Sequence, residues 1–296
     1  MKKKFFALAV TLAISSLAQA DTLAKVKASG SVTMGVRDSS GALSYTLGDG
    51  KYTGYHVEIC QAILADLEKA VGKKIEIKYQ SVTSQNRIPL VQNGTVDIEC
   101  GSTTNNATRQ KDVSFAHTTF VEEVRIAVKA NSGITSIAQL NGKSVATTTG
   151  TTSVQTLRKN ERATGVDFKE VFGKDHSESF LLLESGRADA FVMDGSILAG
   201  NIATAKNPAD FKIVGEVLSV EPIAIMMRKD DPAFKKLADE TIAGLAKSGA
   251  LAKLYDKWFM QPIPPKNTRV GLAASDGIKA AWATPNDKPM EDYAKK

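Results

Sequence analysis

Two similar α/β lobes with a cleft between them are the fold that this sequence predicts. Strand-like and helix-like stretches alternate along the chain, which is typical of sheets covered by helices. A short pattern also occurs twice, as "LVQNGTVDI" at residues 90–98 and as "LLESGRADA" at residues 182–190. In both copies a glycine is placed to end a helix, and a strand begins at once. A later stretch, residues 212–234, leads the chain back toward the first lobe.

The first twenty residues predict a secretory signal. "MKKK" is a basic start, "FFALAVTLAISSL" is an apolar stretch shorter than a membrane span, and "AQA" is a cleavage site ending at Ala20. The mature protein is therefore expected to be exported. Cleavage removes three lysines and no acid, which lowers the formal charge from +6 to +3. Without a cluster of Lys and Arg, this charge does not favour nucleic-acid binding.

The first lobe is predicted to begin with a short helix, "TLAKVKASG". There follow the strand "SVTMGV", a helix from Gly54, the strand "KIEIKY", a helix from Arg87 and the strand "TVDIEC". The helix from Gly54 repeats apolar residues at the spacing of one helix face, so it is expected to pack on the sheet.

The second lobe is predicted from the next series of stretches. These are the strands "VRIAVK", "KSVATTTG" and "GVDFKEVF", the helix "ESFLLLESG" and the strand "ADAFVMD". The helical stretch "FKKLADETIAGLAKSGALAKLYDKWF" is expected to pack on the first lobe, and a helix followed by a flexible polar end closes the chain.

The chain is expected to cross between the lobes twice, near residues 120–126 and 215–222. Two crossing segments form a hinge that can close around a ligand. The predicted domains are the signal at 1–20, the first lobe at 21–122 and 218–264, the second lobe at 123–217 and a C-terminal extension at 265–296.

The two cysteines both lie on apolar faces. Cys60 shares its helix face with Val57 and Leu64, and Cys100 alternates with polar residues along its predicted strand. In an oxidising compartment this favours a Cys60–Cys100 disulfide, and two buried thiols are the alternative.

Polar residues follow the carboxyl ends of the predicted strands in both lobes. They are Arg37, Ser84–Arg87 and Ser102–Asn106 in the first lobe, and residues 147–152, His176 and Asp194 in the second. Because ligands of open α/β sheets lie beyond these strand ends, the residues are expected to face the cleft.

Motifs of catalysis and metal binding are missing from the sequence. It has no Gly-x-Ser-x-Gly, Ser-x-x-Lys, His-Glu-x-x-His or Cys-x-x-Cys pattern, and its three histidines lie far apart. A binding protein without metal or cofactor is therefore favoured over an enzyme.

Two threonine-rich stretches are expected at helix starts. "TTTGTTS" (147–153) precedes a helical stretch, and "STTNN" (102–106) predicts a similar start in the first lobe. Free backbone N–H groups at a helix start favour a bound anion, and ordinary N-capping is the alternative.

The charged residues at the strand ends suit a ligand of mixed charge. Arg87 begins a helix, where a cation is unfavourable unless an anion is bound, and Arg37 is a second candidate. For both, a solvated surface arginine is the alternative. Asp194 ends an apolar strand, where it needs a cation or caps the next helix. With His176, which could be purely structural, these groups describe a site for an acidic amino acid.

The chain resembles the periplasmic amino-acid-binding proteins of ABC importers (extracellular solute-binding proteins of family 3), and within them the glutamate/aspartate-binding proteins. The segments "TSQNRIPLVQNG", "ECGSTTNN", "KDHSESF", "LESGRA", "RKDDPAFKKL" and "QPIPPKN" carry the resemblance, which covers essentially the whole mature chain. It implies a type II two-lobe fold, in which each lobe is a mixed sheet flanked by helices and two segments form the hinge.

The resemblance also implies how the amino-acid backbone of the ligand is held. Arg87 would bind the α-carboxylate, with help from Thr104 and Thr152. Asp194 and Ser102 would take the α-ammonium.

The side-chain carboxylate of the ligand has its own set of residues under this resemblance. Arg37, His176 and Ser84 would bind it, and Arg109 would support the site or the contact between the lobes. The familiar "GHR" of the family reads "GVR" here, so Val36 stands where a histidine would support Arg37.

The leading hypothesis is a monomeric periplasmic receptor that delivers L-glutamate or L-aspartate to the permease of an ABC importer. A lyase or hydrolase on the same scaffold is the alternative from the enzyme class, with His176 or a cleft carboxylate as its general acid. Binding of a non-acidic amino acid such as glutamine is a narrower alternative. A role in signalling fits the sequence as well as transport does.

Overall fold

The computed structural model describes residues 21–293, and the predicted signal segment and its cleavage site lie outside these residues. Within residues 21–293, none of the helices has the length and apolar character needed to cross a membrane.

The described residues form thirteen strands and ten α-helices. The strands are β1 Ser31–Val36, β2 Ser39–Ser40, β3 Ser44–Gly48, β4 Lys51–Thr53, β5 Glu76–Ser81, β6 Ile98–Glu99, β7 Val113–Phe115, β8 Phe120–Lys129, β9 Ser144–Thr148, β10 Lys169–Gly173, β11 Ala190–Asp194, β12 Phe211–Ile223 and β13 Met226–Arg228. The helices are α1 Thr22–Ser29, α2 Tyr55–Val71, α3 Arg87–Gln92, α4 Thr152–Thr164, α5 His176–Glu184, α6 Gly195–Thr204, α7 Pro232–Lys247, α8 Ala250–Tyr255, α9 Asp276–Ala283 and α10 Met290–Tyr293.

Two five-stranded mixed sheets form the centres of the two lobes. The first has the strand order β5-β1-β6-β13-β7, and the second has the order β10-β9-β11-β8-β12. In the first sheet β1 is parallel to β5 and β6, whereas β13 is antiparallel to its neighbours. In the second sheet β9 is parallel to β10 and β11, whereas β8 is antiparallel to β11 and β12. The predicted α/β fold of two mixed sheets is confirmed.

The chain passes between the two sheets along β8 and β12. These strands pair antiparallel from Phe120 opposite Ile223 to Lys129 opposite Phe211. After β12 the chain returns to the first sheet with β13, as the sequence predicted. The predicted domain boundaries, after residues 122 and 217, fall inside these paired strands and stay predictions.

The repeated sequence pattern forms the same hydrogen bonds in both lobes. Gly94 and Gly186 follow α3 and α5 with φ of 75° and 77°, in the left-handed region that glycine tolerates. The Asp97 carboxylate accepts a hydrogen bond from a backbone N–H of β1 at 3.0 Å. In the same way, the Asp189 carboxylate accepts from a backbone N–H of β9 at 2.9 Å. The two copies are therefore one structural unit used twice.

Side-chain alternation explains why β11 is apolar up to Asp194. Ala190 and Val192 pack into one apolar cluster, and Phe191 and Met193 pack into another on the opposite face. Successive side chains of a strand point to opposite faces, so helices must cover both.

Helix α2 packs on the first sheet through the face that its sequence predicted. Val57, Cys60 and Leu64 are fully buried, and the helix ends at Gly72, whose φ of 75° is left-handed. Cys60 is bonded to Cys100, just past β6, so the predicted disulfide is present. It links α2 to the loop that carries several of the predicted site residues.

Replacing both Cys60 and Cys100 by serine is expected to lower the free energy of unfolding by about 2–4 kcal/mol. The disulfide joins residues 40 apart, and losing it gives the unfolded chain more conformational freedom. Urea denaturation of the variant measures this loss, and wild-type protein with a reducing agent is the control. Equal denaturation midpoints for oxidised protein and variant would contradict the expectation.

The C-terminal residues up to 293 lie against the first lobe. The carbonyl of Asn286 accepts from the N–H of Thr118, and the carbonyl of Asn105 accepts from the N–H of Met290, both at 2.8 Å. The polar end was expected to be flexible, but as far as residue 293 it is hydrogen-bonded beside the loop that follows β6.

Candidate ligand-binding site

The predicted site residues come together where the two lobes face each other. From the first lobe, Arg37 follows β1, and Thr104 lies in the loop after β6. From the second lobe, Thr152 begins α4, and His176 begins α5. Arg37 Nη2 lies 3.3 Å from His176 Nε2, and the hydroxyl oxygens of Thr104 and Thr152 are also 3.3 Å apart. The lobes therefore meet across the predicted cleft.

Arg37 is buried among polar partners from both lobes. Its guanidinium donates to the hydroxyls of Ser84 at 2.9 Å and Ser102 at 3.3 Å. Burial and the charge of Arg87 lower the pKa of Arg37 to about 10, which still leaves it cationic at neutral pH. The surface-arginine alternative is therefore wrong for Arg37, which is 1% exposed.

His176 is a neutral partner of this arginine. Burial, followed by the charges of Arg37 and Arg87, holds the pKa of His176 well below its usual value. Because the guanidinium has only donors, Nε2 accepts from it, and the ring proton is on Nδ1. Nδ1 therefore donates to the hydroxyl of Thr148 at 3.0 Å.

Arg87 begins α3, as the sequence predicted, and is 2% exposed. Its Nη1 donates to the carbonyl of Ser102 at 3.1 Å, but its buried Nε has no hydrogen-bond partner among the described residues. A buried donor without a partner is costly, so this N–H calls for an acceptor from a ligand.

Arg109 connects the loop after β6 with the second lobe. Its guanidinium donates to the carbonyls of Thr104 at 2.9 Å and Gly150 at 3.4 Å. Burial and the charge of Arg87 lower its pKa to about 9. Arg109 thus lies at the contact between the lobes, which is one of the two places predicted for it.

Asp194 ends β11 and is 4% exposed. It occupies the N-cap position of α6, yet its side chain makes no capping hydrogen bond within the described chain. Its Oδ1 also lacks a partner among residues 21–293. Burial, and then the charges of Glu122 and Glu221, raise the pKa of Asp194 well above its usual range. The capping alternative is therefore wrong, and a bound cation would stabilise the buried carboxylate.

The threonine-rich stretches differ in structure. Thr152 begins α4, which confirms the helix start expected there. Residues 102–106 do not begin an α-helix in the described structure, so the second expected helix start is wrong. Thr104 instead makes an isolated bridge to Ile223, which holds this loop against the crossing strand β12.

Three buried glutamates of the site were missed by sequence reasoning: Glu99, Glu122 and Glu221. Alternation along β6 placed Glu99 on a polar face, but β6 lies inside the sheet and that face is covered too. Glu99 accepts from the hydroxyl of Thr103 at 2.6 Å, and its Oε1 has no partner among the described residues. A carboxylate within an otherwise buried strand was the signal that could have identified it.

Burial, together with the charge of Glu221, raises the pKa of Glu122 to about 7, although hydrogen bonds from Ser196 oppose this rise. An unfolded glutamate has a pKa of about 4.5, so folding takes up a proton between these two values. This contribution to stability is full below the lower value and is lost as the pH rises through the upper one.

The variant Glu122→Gln is therefore expected to lose part of the pH dependence of stability. Wild-type protein should gain more stability than the variant when the pH is lowered from about 8 to about 5. Denaturant unfolding of ligand-free protein at both pH values measures this difference. Glu216→Gln, which changes an exposed glutamate of β12, is the matched control. Identical slopes for wild type and Glu122→Gln would contradict the expectation.

Metal binding has no structural support in residues 21–293, where no group of His, Cys, Asp and Glu side chains is placed to hold an ion.

The buried His56 has its pKa lowered to about 4 by burial and contacts the carbonyl of Gly101 and the hydroxyl of Thr119. It therefore supports the loop after β6.

A family model described as bacterial extracellular solute-binding proteins, family 3, matches residues 32–261. The chain is also 45% identical to the glutamate/aspartate import solute-binding protein of Escherichia coli (strain K12), over 95% of this chain and 96% of that protein. It is 44% identical to the L-glutamate/L-aspartate-binding protein of Pseudomonas aeruginosa, over 91% of this chain and 90% of that protein.

Solved structures share the fold. A variant of ArgBP from T. maritima matches with a TM-score of 0.72 and 27% identity, over 81% of this chain and 99% of that one. The cysteine-binding protein from Campylobacter jejuni matches with a TM-score of 0.71 and 26% identity, over 81% of this chain and 93% of that one. These likenesses confirm the predicted two-lobe architecture.

Proposed function

Because the chain belongs to the bacterial extracellular solute-binding proteins of family 3, we propose that it captures L-glutamate or L-aspartate between its lobes for an ABC importer. The observation that carries this proposal is the buried Asp194 carboxylate, which has an oxygen without a partner among the described residues, beside a group of arginines. Such a site needs a ligand that brings an ammonium and more than one carboxylate.

The number of guanidiniums, rather than the net charge of the site, favours an acidic ligand over a neutral one. Arg37, Arg87 and Arg109 all lie at this site, and Arg87 interacts electrostatically with each of the other two. A neutral amino acid brings one carboxylate, whereas glutamate and aspartate bring two. Pairing buried guanidiniums with carboxylates forms strong, charge-assisted hydrogen bonds.

The α-ammonium of the ligand would be bound by Asp194, with Ser102 beside it. The α-carboxylate would be bound by Arg87, whose Nε is buried and lacks a partner in the described chain. The hydroxyls of Thr104 and Thr152 already donate to Glu221, so any donation from Thr152 to the α-carboxylate would come from its backbone N–H at the start of α4.

The side-chain carboxylate of the ligand would be bound by Arg37, with Ser84 and His176 around it. Ser84 and His176 both contact the Arg37 guanidinium, so they fix its orientation. Arg109 would stabilise the closed form, since it donates to a carbonyl on each side of the cleft.

The cellular setting follows from the same assignment. The protein would be exported through its signal segment to the periplasm and would deliver its ligand to membrane permease subunits. A monomeric state, the absence of nucleic-acid binding and cleavage after Ala20 remain predictions. The relatives reported above carry the names of binding proteins, which favours binding over the enzyme alternative.

Titration calorimetry of the mature protein tests the proposal. The protein is first freed of bound ligand by unfolding and refolding, and it is then titrated with each of the twenty amino acids. Tight one-to-one binding of glutamate or aspartate is the expected result. A strong preference for glutamine would contradict the roles given to Arg37 and His176, and binding of none would overturn the proposal.

A further inference from the structure

We infer that Glu221 is a positioning residue that joins the two lobes in the closed form and thereby slows release of the ligand. The inference rests on the proposed function, since it concerns how long a captured amino acid is retained. It assigns a role to a residue that contacts the lobes and that sequence reasoning did not select.

One carboxylate oxygen of Glu221 accepts a hydrogen bond from each lobe. Oε2 lies 2.6 Å from the hydroxyl of Thr104 and 2.6 Å from the hydroxyl of Thr152. The other oxygen, Oε1, accepts from the hydroxyl of Ser219 at 2.8 Å on the same strand. Glu221 is fully buried, so these hydrogen bonds are shielded from water.

The two threonines belong to different lobes. Thr104 lies in the loop after β6 of the first sheet, and Thr152 begins α4, which packs on the second sheet. Glu221 itself lies on β12, one of the two strands on which the chain passes between the lobes. A single oxygen can hold both hydroxyls only while they are close together, so opening of the cleft must break at least one of these hydrogen bonds.

Neighbouring carboxylates make it unfavourable to bury the charged side chain of Glu221. Glu221 lies directly opposite Glu122 in the pairing of β8 and β12, and its charge helps to raise the pKa of Asp194. A buried carboxylate beside other carboxylates is unfavourable without strong partners. The charges of Arg87 and Arg109 stabilise this carboxylate as well, and the two threonine hydroxyls donate to it together only in the closed form.

The closed form is therefore stabilised relative to the open form by a hydrogen bond to a charged acceptor. Hydrogen bonds of this kind correspond to about a ten- to hundredfold change in an equilibrium constant. Because the contact exists only after closure, its loss is expected to change the rate of ligand release much more than the rate of association.

Stopped-flow kinetics with glutamate and the variants Glu221→Leu and Glu221→Gln test this inference. Glu221→Leu is expected to raise the dissociation rate about ten- to hundredfold, with an association rate within about twofold of wild type. Glu221→Gln keeps an acceptor oxygen and should show a smaller increase. Ser219→Ala is the matched control, because it removes a bond to the same carboxylate that does not join the lobes.

A double-mutant cycle separates this role from a general loss of stability. If Glu221 acts through Thr152, adding Thr152→Val to Glu221→Leu should raise the dissociation rate little further, whereas two independent effects would add. Thermal denaturation of each variant reports on stability alone. An unchanged dissociation rate for Glu221→Leu, or additive effects with Thr152→Val, would overturn the inference.

The outcome also distinguishes this inference from the proposed function. Wild-type protein that binds neither glutamate nor aspartate would contradict the function. The inference would then be measured on ligand-free protein by small-angle scattering, where Glu221→Leu should be more open than Ser219→Ala. Equal radii of gyration for these two variants would overturn it.

Discussion

Replacing Asp194 with asparagine is expected to weaken binding of glutamate by about a hundred- to thousandfold. Asparagine has nearly the same shape, so the change removes the charge and leaves the packing of β11 intact. The wild-type carboxylate is 4% exposed and has an oxygen without a hydrogen-bond partner among the described residues. In the variant, the ligand ammonium would be buried without an anion, which is unfavourable.

Calorimetry of Asp194→Asn and of wild type provides the measurement. Glu123→Gln, which removes a partly exposed carboxylate of β8, is the control and should bind as wild type does. An affinity of Asp194→Asn within about tenfold of wild type would contradict the assigned role.

Proton release adds a second readout for Asp194. Burial and neighbouring carboxylates raise the pKa of Asp194, whereas a bound ammonium would favour its ionised form. Glutamate binding should therefore release protons, and affinity should fall as the pH is lowered. Titrations in buffers of different ionisation enthalpy detect this release, which should decrease in the asparagine variant.

Replacing Arg37 with methionine is expected to weaken glutamate binding about a hundredfold while changing glutamine binding much less. Arg37 is buried, and Ser84 and His176 fix the orientation of its guanidinium. Methionine preserves much of the apolar volume but cannot pair with a carboxylate. Lysine would not substitute well, because it lacks the planar pair of donors.

The ratio of glutamate to glutamine affinity is the quantity to measure for Arg37→Met. Arg125→Met is the control, since this arginine of β8 donates to the carbonyl of Gly215 and is not among the predicted site residues. Thermal denaturation should accompany the titrations, because Glu99 interacts with Arg37 and would lose a neighbouring positive charge. Equal losses for both amino acids would mean that Arg37 binds the part of the ligand that they share.

Periodicity made most of the fold predictable. Apolar spacing along α2 identified the face that carries Cys60, and alternation near β6 placed Cys100 toward the same core. The disulfide could be predicted from these two faces. Strand ends were also predictable, and the predicted site residues Arg37 and His176 lie shortly after β1 and β10.

Where the sequence allowed two interpretations of a single side chain, only the tertiary structure could decide between them. Asp194 suits both a helix cap and an ammonium site, and only its geometry, without a capping bond in the described chain, separates them. Residues 102–106 have the composition of a helix start, but the bridge of Thr104 to Ile223 holds them extended instead.

The sequence by itself determined the two lobes, their order along the chain, the disulfide and the strand ends that carry the site, because each depends on local spacing and residue type. Only the tertiary structure decided that Glu99, Glu122 and Glu221 are buried beside the site residues. Alternation shows which face of a strand a side chain occupies, but not whether another layer covers that face. Glu221 meets Thr104 and Thr152 from 117 and 69 residues away, a distance along the chain over which no local pattern operates.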